Sequence, residues 1–158
     1  MTRCHCGNDL PYKNCCQPFH LGLHAAPTCE ALMRSRFSAY IEQLGEYLFQ
    51  TWHPDFRAEL TPALLAQSGK ETDWRSLQIL ATNKGEAQDQ QGTVEFCAWF
   101  MADNALHYHH EVSNFERVNG AWVYSDGSFN PNKKSMLPGR NDPCPCMSQK
   151  KFKACCGK

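Results

Sequence analysis

The chain has 158 residues, with 16 Lys plus Arg against 16 Asp plus Glu, 42% hydrophobic and 20% charged residues. That balance excludes a disordered chain and the strongly basic footprint of a general nucleic-acid coat. No stretch approaches the roughly 18 apolar residues of a membrane span, and no apolar run follows Met1, so neither a membrane partner nor a signal peptide is expected. The expected address is a reducing cytoplasm, where ten cysteines bind metal or stay free rather than pair.

The first element is the stretch RCHCGNDLPYKNCCQ, holding Cys4, Cys6, Cys15 and Cys16. A Cys-x-Cys bracket, a turn and a Cys-Cys pair can bring four sulfurs to one point, the donor set of a tetrahedral metal site. Tyr12 would cover such a site and Lys13 offset its negative charge. After a Pro-, His- and Gly-containing link, Thr28 is a good helix N-cap with Glu30 in the first turn. The stretch CEALMRSRFSAYIEQL places Leu32, Met33, Phe37, Tyr40, Ile41 and Leu44 at helical spacing, which predicts a helix up to Gly45. EYLFQTW reads as a second short helix ended by His53-Pro54. TPALLAQ, with Thr61 as cap and Pro62 at the first helical position, reads as a third.

The pattern then changes to runs rich in β-branched and aromatic residues: WRSLQILATN, GTVEFCAWFM, ALHYHHEVSNFERV and AWVYSD. Asn119-Gly120 is a two-residue hairpin turn. Three helices before a four-strand antiparallel meander predict an α+β fold with the helices on one face of a curved sheet. On the third strand, alternation puts His107, His109, Glu111, Ser113 and Phe115 on one face, and Phe115 marks that face as covered.

Glu111 and Ser113 then lie in or beside a pocket, with Arg34 or Arg36 of the first helix, Tyr40 and Trp52 near them. Three readings stay open. A buried Arg–Glu pair locks helix to sheet as a purely structural bond; the pocket binds a small molecule; or Glu111, with a pKa raised by burial, serves as a general acid or base of an isomerase or hydrolase. Alternation lets only His107 and His109 of the HYHH run share an ion. Cys29 and Cys97 read as small apolar residues.

The last element repeats the first. PCPCMSQKKFKACCG holds Cys144, Cys146, Cys155 and Cys156 at the same spacing, with Phe152 and Lys153 in the places of Tyr12 and Lys13. A register used twice marks a discrete module. An all-thiolate tetrahedral set suits zinc, and the same set holds iron; a redox pair or disulfide is the rival reading. Around this module stand Arg140, Lys150, Lys151, Lys153 and Lys158 against Asp142.

The stretch PGRNDPCPCMSQKKFKACCG resembles the SEC-C motif, a small zinc-binding element also found at the C-terminus of the SecA translocation ATPase. The resemblance implies that all four cysteines of each copy bind the metal, giving two Zn2+ per chain. By analogy with the SecA tail it also implies a ribosome or protein partner for the basic C-terminal module. The motif usually places glycines where Met147 and Gln149 stand here, while the first copy keeps Gly7 and has Asp9.

The stretches ALMRSRFSAY, TWHP, GTVEF and HEVSNFERVNGAWVYSDG, with both cysteine modules, resemble the YchJ-like family. The helix-then-sheet order resembles the cone of nuclear transport factor two. The resulting expectation is an N-terminal module at 1–18, a cone-shaped domain at 26–130 and a C-terminal module at 138–158. The chain reads as a zinc-binding adaptor, monomeric or homodimeric, with a small-molecule binding protein or enzyme as the alternative.

Overall fold

A computed structural model of the chain describes residues 3–158. The described residues form four α-helices, α1 (Gln17–His20), α2 (Cys29–Ile41), α3 (Gly45–Gln50) and α4 (Pro62–Glu71). Four strands follow, β1 (Asp73–Lys84), β2 (Gln91–Ala102), β3 (Ala105–Val118) and β4 (Ala121–Phe129). Both threonine caps are formed: Thr28 Oγ1 accepts from the Ala31 N–H and Thr61 Oγ1 from that of Leu64, each at 3.1 Å. Helix α2 stops at Ile41 rather than Leu44 because Gln43 turns left-handed, with φ 59°. The Leu44 N–H then bonds Ala39 O and the Gln43 N–H bonds Tyr40 O, a Schellman closure. Helix α4 runs past the expected TPALLAQ, and α1 lies in the stretch read as a link.

The strands pair in the order β1-β2-β3-β4, all antiparallel. Asn119 and Gly120 both have positive φ, as do Asp103 and Asn104 in the preceding hairpin, a second tight turn that the sequence reading missed. Register shifts at Trp74/Ser76, Ile79/Ala81 and Ser113/Phe115 bend the strands and curve the sheet.

Leu32, Met33 and Phe37 of α2 pack on Leu77, Val94, Phe96 and Phe115 of the sheet. The opposite face is covered too. There Cys97, Trp99 and Leu106 pack against Cys144, with Phe152 and Met136 beside them, and Ser76 Oγ donates to Pro145 O. Cover on both faces explains why β2 reads as a continuous apolar run, with Phe96, Cys97, Ala98 and Trp99 all buried. The C-terminal module therefore shares a core with the sheet.

The N-terminal module sits against α2. Arg34 Nη1 donates to Cys6 O at 2.7 Å while its Nε holds Glu30 at 3.0 Å. His20 Nε2 lies 2.7 Å from Ser35 O, and Nδ1 lies 2.6 Å from the Tyr12 hydroxyl. A carbonyl can only accept, so Nε2 carries the proton and Nδ1 accepts from Tyr12. Burial lowers the His20 pKa and keeps that ring neutral. Ser35 and Ser38, on the same side of α2 as these contacts, are buried too.

Candidate metal centres and the cavity of the middle domain

The two cysteine modules are built alike. In each, the first cysteine N–H bonds the residue six positions on, Cys4 to Leu10 O at 2.7 Å and Cys144 to Lys150 O at 2.8 Å. A 3-10 turn, Tyr12–Asn14 or Phe152–Ala154, then swings the cysteine pair back toward the bracket. Gly7 and Met147 both take positive φ, 93° and 70°, and Gln149 does as well at 68°. The C-terminal copy thus places two non-glycine residues where L-residues are strained, at a cost of roughly 1 kcal/mol each. Tyr12 and Phe152 each pack against their own cluster.

The four Sγ atoms of each cluster lie within 4.8 Å of one another. Cys6–Cys15 and Cys15–Cys16 are 3.5 and 4.0 Å apart; Cys146–Cys155 and Cys155–Cys156 are 3.4 and 3.9 Å apart. A tetrahedron with metal–sulfur arms of about 2.3 Å has edges of about 3.8 Å, so the donor sets fit a single ion. The same separations are far beyond a disulfide bond of about 2.05 Å. Further polar groups stand at equivalent positions. Asn8 Nδ2 donates to Cys15 Sγ at 3.5 Å, and Ser148 Oγ is 3.2 Å from Cys155 Sγ.

Thiol acidity in the clusters is uneven. The Cys16 and Cys6 thiols draw Cys4 far below its ordinary value, and Cys16 is pushed up by Cys4 and Cys6. Burial raises Cys146, but hydrogen bonds from Ser148, Cys144 and Cys155 outweigh it and bring it to about 7. Burial and its thiol neighbours push Cys156 up. In each cluster one thiol is thus drawn toward its thiolate, Cys4 or Cys146, and another, Cys16 or Cys156, is driven away from it, and a dication is what lets four thiolates coexist. Cys29 and Cys97 lie apart, buried and pushed up to about 12 by that burial.

A cavity of about 280 Å³ opens between α2, the end of α3 and the helix-covered face of the sheet. The chain leaving α3 is tied to β4: Tyr124 N donates to Thr51 O at 2.8 Å and His53 N to Tyr124 O at 2.7 Å. This sets the Trp52 ring edge-on to Tyr124, with centroids 5.0 Å apart. Arg36, Tyr40, Trp52, Glu111 and Ser113 all line the cavity.

Glu111 forms no pair with either arginine. Its Oε1 accepts from His109 Nε2 at 2.8 Å, and its Oε2 accepts from the Tyr124 hydroxyl at 2.9 Å and from Ser113 Oγ. Burial pushes the carboxyl up, but these three donors outweigh it and hold Glu111 below the usual carboxylate range. The expected raised pKa is thus corrected: Glu111 is an ionised, fully bonded acceptor. Gly127 is required opposite it, since a Cβ there would run into the carboxylate.

Arg34 lies outside the cavity, on the N-terminal module. Arg36 uses Nη1 on Leu48 O and Thr51 Oγ1. His109 and Tyr124 were missed as partners of Glu111, although His109, two residues away on the same strand face, was visible in the alternation. His107 turns to Ala102 O at 3.1 Å, so it shares no ion with His109.

Fold and sites together define a class: an α+β domain of the nuclear-transport-factor-two type carrying a C-terminal SEC-C motif and an N-terminal cysteine cluster of the same build. The family model described as YchJ, middle NTF2-like domain, matches residues 28–127, and that of the SEC-C motif matches residues 140–158. The chain belongs to the YchJ family, UPF0225. A UPF0225 protein of Photorhabdus laumondii is 40% identical over 156 residues, 98% of each chain. One of Geobacter sulfurreducens is 40% identical over 156 residues, 98% of this chain and 97% of its own. Among solved structures, a SEC-C motif containing protein from Psychrobacter arcticus superposes with a TM-score of 0.70 at 33% identity, covering 99% of this chain and 96% of its own. Another from Rhodopseudomonas palustris gives 0.73 at 32%, covering 80% of this chain and 98% of its own. No helix among the described residues is long and apolar enough to cross a membrane.

Proposed function

We propose that the chain is a cytoplasmic zinc-binding adaptor. Each terminal module holds one Zn2+ through its four cysteines, and the C-terminal module offers its outer surface to an acidic macromolecule, with ribosomal RNA as the candidate. The observation that carries this reading is the two-sidedness of that module. Its inner side, through Cys144, packs on Trp99 and Leu106, while Arg140, Lys150, Lys151, Lys153 and Lys158 are all exposed. A zinc ion with four thiolates carries a net charge of about −2. Five basic residues against Asp142 more than offset it, leaving a module of roughly +2. The metal supplies folding free energy and no reaction, holding a loop too short for a core of its own in a fixed shape.

Native mass spectrometry of protein prepared without chelators is expected to show two zinc ions per chain. Co-sedimentation with ribosomes should weaken steeply with salt, as phosphate contacts do. It should be lost when Lys150, Lys151 and Lys153 are changed together to Glu while both ions stay bound. Co-sedimentation unaffected by that triple change would refute the adaptor surface. One ion or none would refute the two-site reading.

A further inference from the structure

The cavity of the middle domain contains a cation with three of its five N–H donors unused. Arg36 is only 4% exposed. Its two Nη1 hydrogens are taken by Leu48 O at 2.8 Å and Thr51 Oγ1 at 2.6 Å. Nε and Nη2 have no protein acceptor among the described residues, and neither is sealed beneath protein atoms, so they open onto the cavity that Arg36 lines. The guanidinium is held in place by two rings, its carbon 5.0 Å from the Trp52 centroid and 5.1 Å from that of Tyr124. The one carboxylate of the cavity, Glu111, is no counter-ion in waiting, because three other donors occupy its two oxygens.

A buried guanidinium with free donors is costly unless an acceptor meets it. Nε–H and one Nη2–H point the same way along one edge of the group, which matches the two oxygens of a carboxylate side-on. Much of the remaining lining is aromatic, Phe37, Trp74, Phe96 and Phe129, with Tyr40, Ser68 and His109 as its polar members and the Trp74 indole N–H buried without a partner. The 280 Å³ of space corresponds to roughly nine waters at about 30 Å³ each, room for a substituted ring or two fused rings.

We propose that this cavity binds a small monocarboxylic acid with a flat apolar body, its carboxylate clamped by Nε and Nη2 of Arg36 and its body laid against Trp74 and Phe96. The rival ligand is an organic ammonium, since aromatic walls and a carboxylate suit a cation. Two facts weigh against it. The faces of Trp52 and Tyr124 already serve Arg36, and the charge of Glu111 is spoken for. The site is independent of the metal ends.

The test uses the full-length, metal-replete protein and three probes of one shape: benzoate, benzamide and benzylammonium. Indole N–H resonances are followed by NMR during each titration. Benzoate should move the Trp52 and Trp74 signals, leave that of Trp99 on the opposite sheet face in place, and bind at least about tenfold more tightly than either analogue. Arg36→Gln should abolish the benzoate response. If that variant does not fold, the comparison of three probes on the wild-type protein decides alone. Equal binding of all three, preference for benzylammonium, or no movement of Trp52 and Trp74 with benzoate would overturn the proposal.

Discussion

Glu111→Gln keeps the shape of a buried side chain and removes its charge. The wild-type carboxylate is 4% exposed and accepts from His109, Tyr124 and Ser113. In the variant the amide oxygen can stand in the Oε2 position and keep Tyr124 and Ser113 as neutral bonds. The amide NH2 then faces His109, whose Nε2 must change from donor to acceptor. Bonds to a charged group contribute about 1.5–3 kcal/mol each and neutral ones about 0.5–1.5. Losing the charge on three bonds, less the desolvation that the neutral amide no longer bears, gives a net loss of about 2–3 kcal/mol near neutral pH. For a chain of this length that corresponds to a fall in Tm of roughly 4–12 °C.

The pH dependence has a definite sign. A carboxyl held below its ordinary value of 4.5 contributes stability that is fully present above that value and is lost as pH falls through the lower folded value. The gap between wild type and variant should therefore close on acidification below about 4.5, because the variant lacks this titration. Urea unfolding followed by circular dichroism at a series of pH values, with both proteins metal-replete, reads it directly. A gap under about 0.5 kcal/mol at neutral pH, or one that widens as pH falls, would show that Glu111 is not the ionised, triply bonded acceptor described here.

Gly127→Ala drives a Cβ into the Glu111 side chain and should cost about 1–3 kcal/mol, measured by chemical unfolding. In a Glu111→Ala background the same change should cost little, and equal penalties in both backgrounds would place the clash elsewhere. Cys155→Ser should release one of two ions and uncover Trp99, 1% exposed in the native chain, so that its emission shifts to the red while the far-ultraviolet spectrum is kept. Collapse of that spectrum would mean that the sheet cannot stand without its metal-bound cover.

Local signals in the sequence were sound where one residue settles one bond. Thr28, Thr61 and Asn119-Gly120 each act through their own backbone neighbours, so caps and turn followed from composition alone. Strand period did as well for β3, whose buried face of Glu111, Ser113 and Phe115 was readable because alternation tolerates no slippage. The repeated cysteine spacing likewise marked both clusters that the fold brings together.

What required the third dimension was anything covered by a distant segment. Helix α2 is buried on nearly every side, since the N-terminal module lies against it, and this also decides between its two arginines. Arg34 reaches out to Cys6, whereas Arg36 reaches inward to α3. The second cover of the sheet had its sign in the run Phe96, Cys97, Ala98 and Trp99, since apolar residues on both faces of one strand demand two partners.

All four cysteines of each cluster fall within thirteen residues, Cys4 to Cys16 and Cys144 to Cys156. Closing so short a loop costs little chain entropy, and neither cluster depends on the other for its sulfurs. During synthesis the first can capture its ion before α2 exists, giving that helix a finished platform to fold against through Arg34 and His20. On the same N- to C-terminal order the second would close last, onto a sheet already assembled, with Cys97 and Trp99 uncovered until then. Metal scarcity would thus act at the opening and at the completion of folding, and the two moments would leave different intermediates: one without a helix platform, the other with an unroofed sheet.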